Sequence, residues 1–532
     1  MKDRILRMTF FITSLLTSVL QQFSSFARHT FWRAVSVRCR FLGAANDVES
    51  AAMKPRPFEL AVLLLFLMIS GYQLFVRPLI GISDNGDFYR LFQPAGLQEM
   101  PTERLDKYFY YFNSQYRIVA KPSIPRYYRS SSVVPVYVAR WLNTLLIDGQ
   151  VFDIRVLGAI HLTAFLFGIY LILISSRQIG IKWRVLLAGL LLFFFTDPAY
   201  TAYFNSFYSE ATALVCLVLI VGCAGVLIAG ESSSWIVLGV FFAAAAMLVT
   251  AKPMYVPLAI LLAPFGFYLS RLISLKRRFW FGGVLACALV PLAALYSMQT
   301  PKWLRQHVNY IAIFTELLKE SPTPEQDLRD LGLNPEWARY ADTTPFQQES
   351  PLLRDPAFTA EFTSGVSSTT VPRFFLTHPS RFFTRASLSA KGIFATRVSY
   401  AGYYEKSTGR PPQTKPPSPW SVVRSWLFPA SIWLFIVYLA SVGPALWFAL
   451  RRRLNECDRG MLLLYCVLVG FGAMVFLVPV ATMATMNPRF SSTFASSFDM
   501  NLILAIAGLS RAPWKRGSAS VSTSQDVLEL PS

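Results

Sequence analysis

Apolar runs of about 20 residues recur along this chain of 532 residues. A helix of that length crosses a hydrocarbon layer of roughly 30 Å. Charged residues make up only 15% of the chain, whereas a soluble domain carries about 25%. The pattern predicts an all-α polytopic membrane protein with about ten transmembrane helices and two large mixed extracytoplasmic segments.

The predicted spans fall into two groups, seven helices in 58–298 and three helices in 426–510. Their expected bounds are 58–76, 154–174, 185–195, 211–229, 235–250, 256–272, 279–298, 426–450, 461–480 and 496–509. One long polar segment, 77–153, follows the first span, and the other, 299–425, follows the seventh. The C-terminal stretch 511–532 is predicted to be a disordered cytoplasmic tail.

Basic residues cluster in the short loops at 177–184, 271–278 and 451–459, and again near the C-terminus. Because short cytoplasmic loops carry an excess of Lys and Arg, we expect both termini in the cytoplasm and both long polar segments outside. The same clusters contribute to the net charge of +20. We interpret that charge as a topology signal and an affinity for anionic lipid, with no nucleic-acid partner.

Within the N-terminal residues 1–57, the stretch 8–26 is only moderately apolar. We interpret 1–57 as a cytoplasmic or interfacial extension, with a cleaved signal peptide as the alternative. Met53 precedes Lys54, Arg56 and a clean apolar run, as at the start of many proteins of the bacterial inner membrane. The pattern therefore leaves open whether Met1 or Met53 is the true start, and it favours the inner membrane as the location.

The first candidate site is the segment 81–90, GISDNGDFYR, which follows the first predicted span. Its Asn-Gly pair is typical of a turn, so Asp84 and Asp87 flank a tight bend at the outer membrane surface. Close carboxylates suit a catalytic base, or could hold a divalent cation. Capping of the following helix by either acid is the alternative interpretation.

Two further acids lie at the outer ends of predicted spans. Glu210 begins the fourth span, where desolvation of a carboxylate is costly, so the residue is a catalytic candidate. An acid favoured by the helix dipole is the alternative. Asp197, before Pro198, is a weaker candidate for substrate binding, and helix capping is the expected alternative.

Three other side chains have the chemistry to bind a phosphate group: Lys252, Arg489 and His307. Lys252 lies in the turn between the fifth and sixth spans, and snorkelling to lipid head groups is its alternative role. Arg489 precedes the tenth span, where an interfacial anchor is the alternative. His307 lies in the second polar segment, where ordinary packing is the expected alternative.

A first span followed by a large outer loop that opens on an acidic pair resembles the polytopic glycosyltransferases of the GT-C superfamily. In that superfamily an acid of the first outer loop is the catalytic base, and the sugar arrives on a polyprenyl phosphate. The resemblance implies that Asp84 is the base, with Asp87 close by. It matches Glu210 or Asp197 to a second acidic position, and Arg489 to a contact with the donor phosphate.

The resemblance extends over about 58–509. The two acids are adjacent in the commonest GT-C form, whereas Asn85 and Gly86 separate them here, so Asp87 stays a second candidate base. The segments 205–210, 251–255 and 404–409 are also similar to those of uncharacterised bacterial multi-pass proteins.

The resemblance implies an inverting transfer of a sugar to an acceptor glycan, lipid or protein. Lys252 and Arg489 would stabilise the charge that develops on the donor phosphate. No cofactor is firmly expected, and a divalent cation is the one alternative. A lipid-linked sugar flippase and a non-catalytic assembly protein remain rival interpretations. Convergence of Asp84, Glu210, Lys252 and Arg489 in one outer cavity would favour the enzyme and their scatter would contradict it, whereas a central two-sided cavity would favour transport.

Overall fold

The computed structural model describes residues 53–119, 129–232, 234–273, 276–347, 350–451, 454–482 and 488–509. Most of the predicted N-terminal extension and the whole predicted tail lie outside these residues. In chain order, the α-helices are Pro57–Phe75 (α1), Tyr89–Phe92 (α2), Arg104–Lys107 (α3), Val133–Leu146 (α4), Ile154–Ser175 (α5), Ile181–Phe195 (α6), Pro198–Thr201 (α7), Ser209–Ile228 (α8), Trp235–Val249 (α9), Ala259–Arg271 (α10), Lys276–Met298 (α11), Lys302–Tyr310 (α12), Pro324–Asp330 (α13), Pro351–Arg354 (α14), Pro356–Gly365 (α15), Thr370–Thr377 (α16), Pro379–Ala390 (α17), Pro419–Leu427 (α18), Ile432–Ala440 (α19), Val442–Arg451 (α20), Glu456–Thr482 (α21) and Pro488–Leu509 (α22).

Shorter helical turns and three strands complete the described secondary structure. The 3₁₀-helices are Ser176–Gln178, Ala202–Asn205, Pro253–Leu258, Pro335–Tyr340 and Lys406–Thr408, and a π-helix covers Ile311–Leu317. The strands are Leu97–Glu99 (β1), Gln115–Ile118 (β2) and Val151–Asp153 (β3). They form an antiparallel sheet in the order β1-β2-β3.

The prediction of a helical multi-pass membrane protein is confirmed. Six helices of the described chain are long and apolar enough to cross a membrane: α1, α5, α8, α10 with the preceding 3₁₀ turn, α11 from Phe279, and α21. Two bent pairs raise the number to eight if each pair is one span: α6 with 198–205, bent by 56°, and α18 with 432–447, bent by 86°.

The expected count of ten spans stays a prediction, although each expected span overlaps at least one helix. The span expected at 235–250 corresponds to α9, which has only 15 residues. The span expected at 496–509 is the second half of α22, which carries Asp499, Asn501 and several serines in 488–509 and is therefore less apolar than the six.

Helix α8 is the centre of the bundle, since 94% of its apolar window is buried by other parts of the chain. It packs most extensively on α5. The two helix backbones approach closely, because a Cβ on Gly222 would lie 2.7 Å from the carbonyl oxygen of Gly168. Small residues at such crossings are typical of helix packing in membranes.

Helix α4 lies within the polar segment 77–153 and was not expected from the sequence. Its outward face carries exposed apolar side chains, among them Val134, Tyr137 and Trp141. The strands on either side of it pair Tyr116 with Phe152, so β3 runs straight into α5. The segment thus folds back over the end of the bundle.

The second polar segment meets the first at the same end of the bundle. The backbone N–H of Ser83 donates to the carbonyl of Gly402 at 2.8 Å, and the Gly402 N–H donates to the Ser83 hydroxyl at 3.0 Å. A Cβ on Gly402 would overlap the carbonyl oxygen of Tyr110, so only glycine fits there. These contacts hold the loop after α1 in place, and that loop carries the first acidic motif.

Candidate functional site

Four charged side chains from distant parts of the sequence meet at the end of the bundle where α1 ends and α8 begins. They come from the loop before α2 (Asp87), the first turn of α8 (Glu210), the turn between α9 and α10 (Lys252) and the first turn of α22 (Arg489). Glu210, Lys252 and Arg489 lie at or next to helix ends of the bundle, and Asp87 lies in the loop before the short α2. We call these four residues the charged cluster.

Glu210 is at the centre of the charged cluster. Its Oε1 accepts from Lys252 Nζ at 2.8 Å and lies 3.3 Å from Arg489 Nε. The exposed fractions are 3% for Glu210 and 7% for each of the two cations. Charges buried this deeply require partners, because desolvation of a lone ion costs several kcal/mol.

Arg489 links Glu210 to the first acidic motif. Its Nη1 lies 2.5 Å from Asp87 Oδ2 and donates to Asn85 Oδ1 at 3.3 Å. Its guanidinium stacks over the Tyr208 ring at 4.2 Å from the ring centroid. The Tyr208 hydroxyl in turn donates to the Ser83 carbonyl at 3.0 Å. The arginine is therefore fixed in position by two carboxylates and an aromatic face.

Asp84 lies in the same turn but has a different environment. Its Oδ1 accepts from the backbone N–H groups of Gly86, Asp87 and Phe88 at 2.7, 2.9 and 3.0 Å. Its Oδ2 is buried and has no hydrogen-bond partner among the described residues. Burial raises the pKa of Asp84 to about 7, although the backbone donors oppose the shift. A carboxyl with a pKa near neutrality is suited to accept a proton at physiological pH.

The pKa of Asp87 is shifted in the opposite direction. Burial would raise its pKa, but the charges of Arg489 and Arg90 outweigh burial and lower the pKa to about 2. Arg90 Nη2 lies 2.8 Å from Asp87 Oδ1. Across the cluster, burial lowers the pKa of Lys252 to about 8 despite the attraction of Glu210. Asp87 is thus a fixed anion and a weak base.

The two acids of the turn do not form a ligand set for a divalent cation. Both oxygens of Asp87 already face guanidinium groups, and Asp84 offers one oxygen without a partner in the described part of the chain. Within the described residues, no group of three or more His, Cys, Asp or Glu side chains could hold a metal ion.

Two candidate residues lie away from the charged cluster. Asp197 caps two helices: its Oδ1 accepts from Ala199 N at 2.8 Å at the start of α7, and its Oδ2 from Trp420 N at 2.8 Å at the start of α18. His307 packs in the second polar segment between Trp303 and Phe346, with Nδ1 at 2.7 Å from the Trp303 carbonyl. The geometry therefore supports the capping alternative for Asp197 and the packing alternative for His307.

The structure also reveals polar residues that the sequence did not single out. Arg424 Nη1 bonds Asp499 Oδ2 at 2.8 Å, with both side chains fully buried. Tyr200 and Trp420 donate to the same carboxylate oxygen at 2.6 and 2.7 Å. The signal in the sequence was Asp499 itself, an acid inside a predicted span. This network connects α22 to both bent helix pairs.

Chemically, the charged cluster offers two buried cations at the end of a membrane bundle and a carboxyl of near-neutral pKa in the adjoining turn. Lys252 and Arg489 could meet a phosphate group, since guanidinium and ammonium donors bind phosphate oxygens strongly. Asp84 could take up a proton. The sequence-predicted residues Asp87 and Glu210 hold the cations in place.

The fold and this site define a multi-pass membrane protein with a polar centre at one end of its helices. The family model of the YfdI N-terminal transmembrane domain matches residues 46–516, and the chain belongs to this family. No curated protein matches the chain.

A similar chain among solved structures is the oligosaccharyltransferase AglB from the archaeon Archaeoglobus fulgidus, in complex with an inhibitory peptide and a dolichol-phosphate. The identity is 14% and the TM-score is 0.35, with 86% of this chain and 50% of the AglB chain covered. The chain therefore spans about half the length of AglB.

Proposed function

We propose that the chain is a membrane glycosyltransferase of the GT-C type. It moves a sugar from a polyprenyl-phosphate donor to an acceptor glycan, lipid or protein on the outer face of the bacterial inner membrane. The observation that carries this proposal is the convergence of Asp87, Glu210, Lys252 and Arg489 beside Asp84. These five residues come from four separate regions of the sequence, and they meet where a lipid-borne substrate could enter from the bilayer.

The donor phosphate is assigned to Lys252 and Arg489. A phosphate attached to a membrane-embedded prenyl chain sits at the level of the helix ends, which is where both cations lie. Positioned cations stabilise the negative charge that grows on the phosphate as its bond to the sugar breaks. Glu210 touches both cations and so keeps them oriented.

Asp84 is the proposed base. Its Oδ2 takes the proton of the acceptor hydroxyl, and the acceptor oxygen attacks the anomeric carbon of the sugar. The bond between that carbon and the phosphate oxygen breaks, and polyprenyl phosphate leaves with the electron pair. Asp87 is the weaker candidate, because its ion pairs with Arg489 and Arg90 hold its pKa at about 2.

The rival function of sugar-lipid transport has less support. The charged cluster lies at one end of the bundle, whereas transporters with internal repeats place their substrate site near the bilayer midplane. Purified chain in liposomes separates the two functions: a transferase converts the lipid-linked sugar into a glycosylated product, whereas a flippase moves it across the bilayer unchanged.

The decisive variant is Asp84→Asn. An amide oxygen can accept the same three backbone hydrogen bonds, so the turn is retained while the base is lost. In cells that lack the native chain, we expect the wild type to restore the surface-polysaccharide and glycolipid profiles, and the variant to fail. The matched control is His307→Gln, which should restore both profiles. If Asp84→Asn reaches the wild-type level in the membrane and restores every glycan, the catalytic role is wrong.

A further inference from the structure

A cavity of about 320 Å³ lies in the second polar segment, apart from the charged cluster. It is formed by the π-helix Ile311–Leu317 with the residues that follow it, and by α16 and α17. Its size is at the lower end of the roughly 300–1,000 Å³ range of small-molecule sites. π-helical turns are rare and are often found at functional sites. Both its size and its π-helical wall are therefore compatible with a small ligand.

The wall of the cavity contains an arginine whose donors are incompletely used. Arg385 is 6% exposed, and its Nη1 donates to the carbonyl of Ala312 at 3.2 Å. Its Nε and Nη2 are buried without a hydrogen-bond partner in the described chain. These two nitrogens form one edge of the planar guanidinium, the edge that pairs with two oxygens of a carboxylate or phosphate. Burial lowers the pKa of Arg385 to about 10, so the side chain stays charged at neutral pH.

The other two cations of the cavity already have partners. Arg381 pairs with Asp327 at 2.9 Å, and Lys319 pairs with Asp342 at 2.8 Å. Arg385 thus differs from its neighbours: it is more deeply buried than either, and its Nε and Nη2 have no hydrogen-bond partner among the described residues. A buried guanidinium with two unmet donors is costly unless a ligand or water satisfies them.

Two carboxylates limit what this ligand can be. Glu316 and Glu320 also line the cavity, and Glu316 acts on Arg385 through its charge. Their repulsion disfavours a doubly charged phosphate and tolerates a single carboxylate. Their oxygens can accept hydrogen bonds from hydroxyl groups. One carboxylate together with several hydroxyls describes a sugar acid.

We propose that the cavity binds a sugar acid, whose carboxylate pairs with Nε and Nη2 of Arg385 while its hydroxyls donate to Glu316 and Glu320. The assignment of this ligand to the acceptor glycan rests on the proposed transferase function, whereas the binding itself does not. The cavity would then select acidic acceptors, at a place separate from the residues that hold the donor.

The test uses D-glucuronate as the probe, with D-glucose and inorganic phosphate as comparators, on the purified full chain in lipid nanodiscs. Saturation-transfer NMR titrations should show saturable binding of glucuronate and weaker binding of glucose. Inorganic phosphate has no C–H protons to observe, so its binding is measured by competition, and it should displace glucuronate only weakly. Arg385→Gln should weaken glucuronate binding by at least about tenfold, the value expected for the loss of a charge-assisted pair. The control Arg329→Gln removes a half-exposed arginine of the same segment and should leave binding unchanged.

A second variant keeps the test decisive if Arg385→Gln fails to fold. Glu316→Gln weakens one acceptor for both sugars but removes repulsion only from the carboxylate of glucuronate, so it should increase the preference for glucuronate over glucose. An unchanged preference in Glu316→Gln would overturn the proposal, as would unchanged glucuronate binding in a folded Arg385→Gln or tighter binding of phosphate than of glucuronate.

Asp84→Asn separates this proposal from the transferase proposal. That variant should bind glucuronate as the wild type does, because Asp84 lies outside the cavity lining. Normal glucuronate binding together with normal glycans in Asp84→Asn would refute the catalytic role of Asp84 and leave the cavity assignment standing. If Asp84→Asn loses transfer and the wild type binds no glucuronate, the cavity assignment is wrong and the catalytic role of Asp84 stands.

Discussion

Asp84 and Asp87 lie in one turn, yet their surroundings shift their pKa values in opposite directions. Burial raises the pKa of Asp84 from 3.8 to about 7, while Arg489 and Arg90 overcome burial and lower that of Asp87 from 3.8 to about 2. A shifted pKa is also a statement about stability, because the folded and unfolded chains then bind different numbers of protons. Replacement of each acid by asparagine therefore has opposite predicted effects.

For Asp84, the folded chain holds the proton more tightly than the unfolded chain between pH 3.8 and about 7. Its ionisation therefore costs stability as the pH rises through that window: about 2 kcal/mol at pH 5 and about 4 kcal/mol at pH 7, with little further change above. Asp84→Asn cannot ionise and keeps the acceptor oxygen of the turn. It should be the more stable protein by at most these amounts, while it loses transfer activity.

For Asp87, ionisation has the opposite effect on the stability of the folded chain. Its carboxylate contributes about 2 kcal/mol of stability above its unfolded pKa of 3.8, and this contribution is lost as the pH falls towards 2. Asp87→Asn should therefore be less stable than the wild type at pH 5 to 8, by an amount that hardly changes with pH in that range.

Thermal unfolding of the purified chain in detergent, followed by intrinsic fluorescence at half-unit steps from pH 5 to 8, measures both effects. The melting temperature of Asp84→Asn should exceed that of the wild type by a margin that grows up to about pH 7 and then levels off. A margin that is absent or independent of pH would show that Asp84 is not a buried acid of raised pKa. The base assignment would then lose its physical support.

Three further predictions concern the cluster, the caps and the topology. Glu210→Gln leaves Lys252 buried without its anion and should cost about 3–5 kcal/mol in unfolding free energy. The double variant Glu210→Gln/Lys252→Met should recover part of this loss, and equal melting temperatures of the single and double variants would contradict the prediction. Asp197→Ala removes a side chain that caps two helices and should lower the free energy of unfolding by about 2 kcal/mol. Asp197→Asn should lower it by less, and denaturant titrations of the two variants measure the difference. In a chain whose native cysteines are replaced, Ser364→Cys should react with a membrane-impermeant maleimide on intact spheroplasts, whereas Gly180→Cys should react only after permeabilisation. The reverse pattern of labelling would show that the chain has the opposite orientation in the membrane.

Sequence reasoning located most helices, because length and apolar composition are local properties. It missed α4, since Val133–Leu146 is a helix of only 14 residues within a polar segment and is too short to be recognised as a span. It also could not settle the number of spans, because α22 is buried by neighbouring helices and tolerates polar residues that a lipid-facing helix would not.

The sequence singled out charged residues that the structure brings together, but it could not show which of them pair. Asp84, Glu210, Lys252 and Arg489 each stood out as a charge at the end of an apolar run. Their pairing could not be derived, since no local pattern links positions hundreds of residues apart. For the same reason, the partner of Asp499 was not foreseen. Asp197 and His307 have suitable side chains for a site, but the fold assigns their polar atoms to helix caps and to packing.

The pairing within the charged cluster has a consequence for donor binding under the proposed function. Two carboxylates and two cations neutralise one another there, so a phosphate must compete with a carboxylate for Arg489. Glu210 is buried and also bonds Lys252, whereas the Asp87 side chain is 24% exposed. The phosphate therefore displaces Asp87 from Arg489 more easily than it displaces Glu210. Arg489 can then keep its Nε on Glu210 and turn Nη1 towards the phosphate.

Removal of this competitor should help the donor. Asp87→Asn weakens the hold on Arg489 Nη1, so it should lower the KM for the polyprenyl-phosphate donor several-fold even though it lowers the stability of the chain. The same variant removes the ion pair between Asp87 and Arg90, which adds to the loss of stability. Initial rates of transfer over a range of donor concentrations measure the effect, with Glu210→Gln as the contrasting variant that should raise KM, because it disorders both cations. A rise in KM for Asp87→Asn would mean that the carboxylate supports donor binding, and that the phosphate does not displace it.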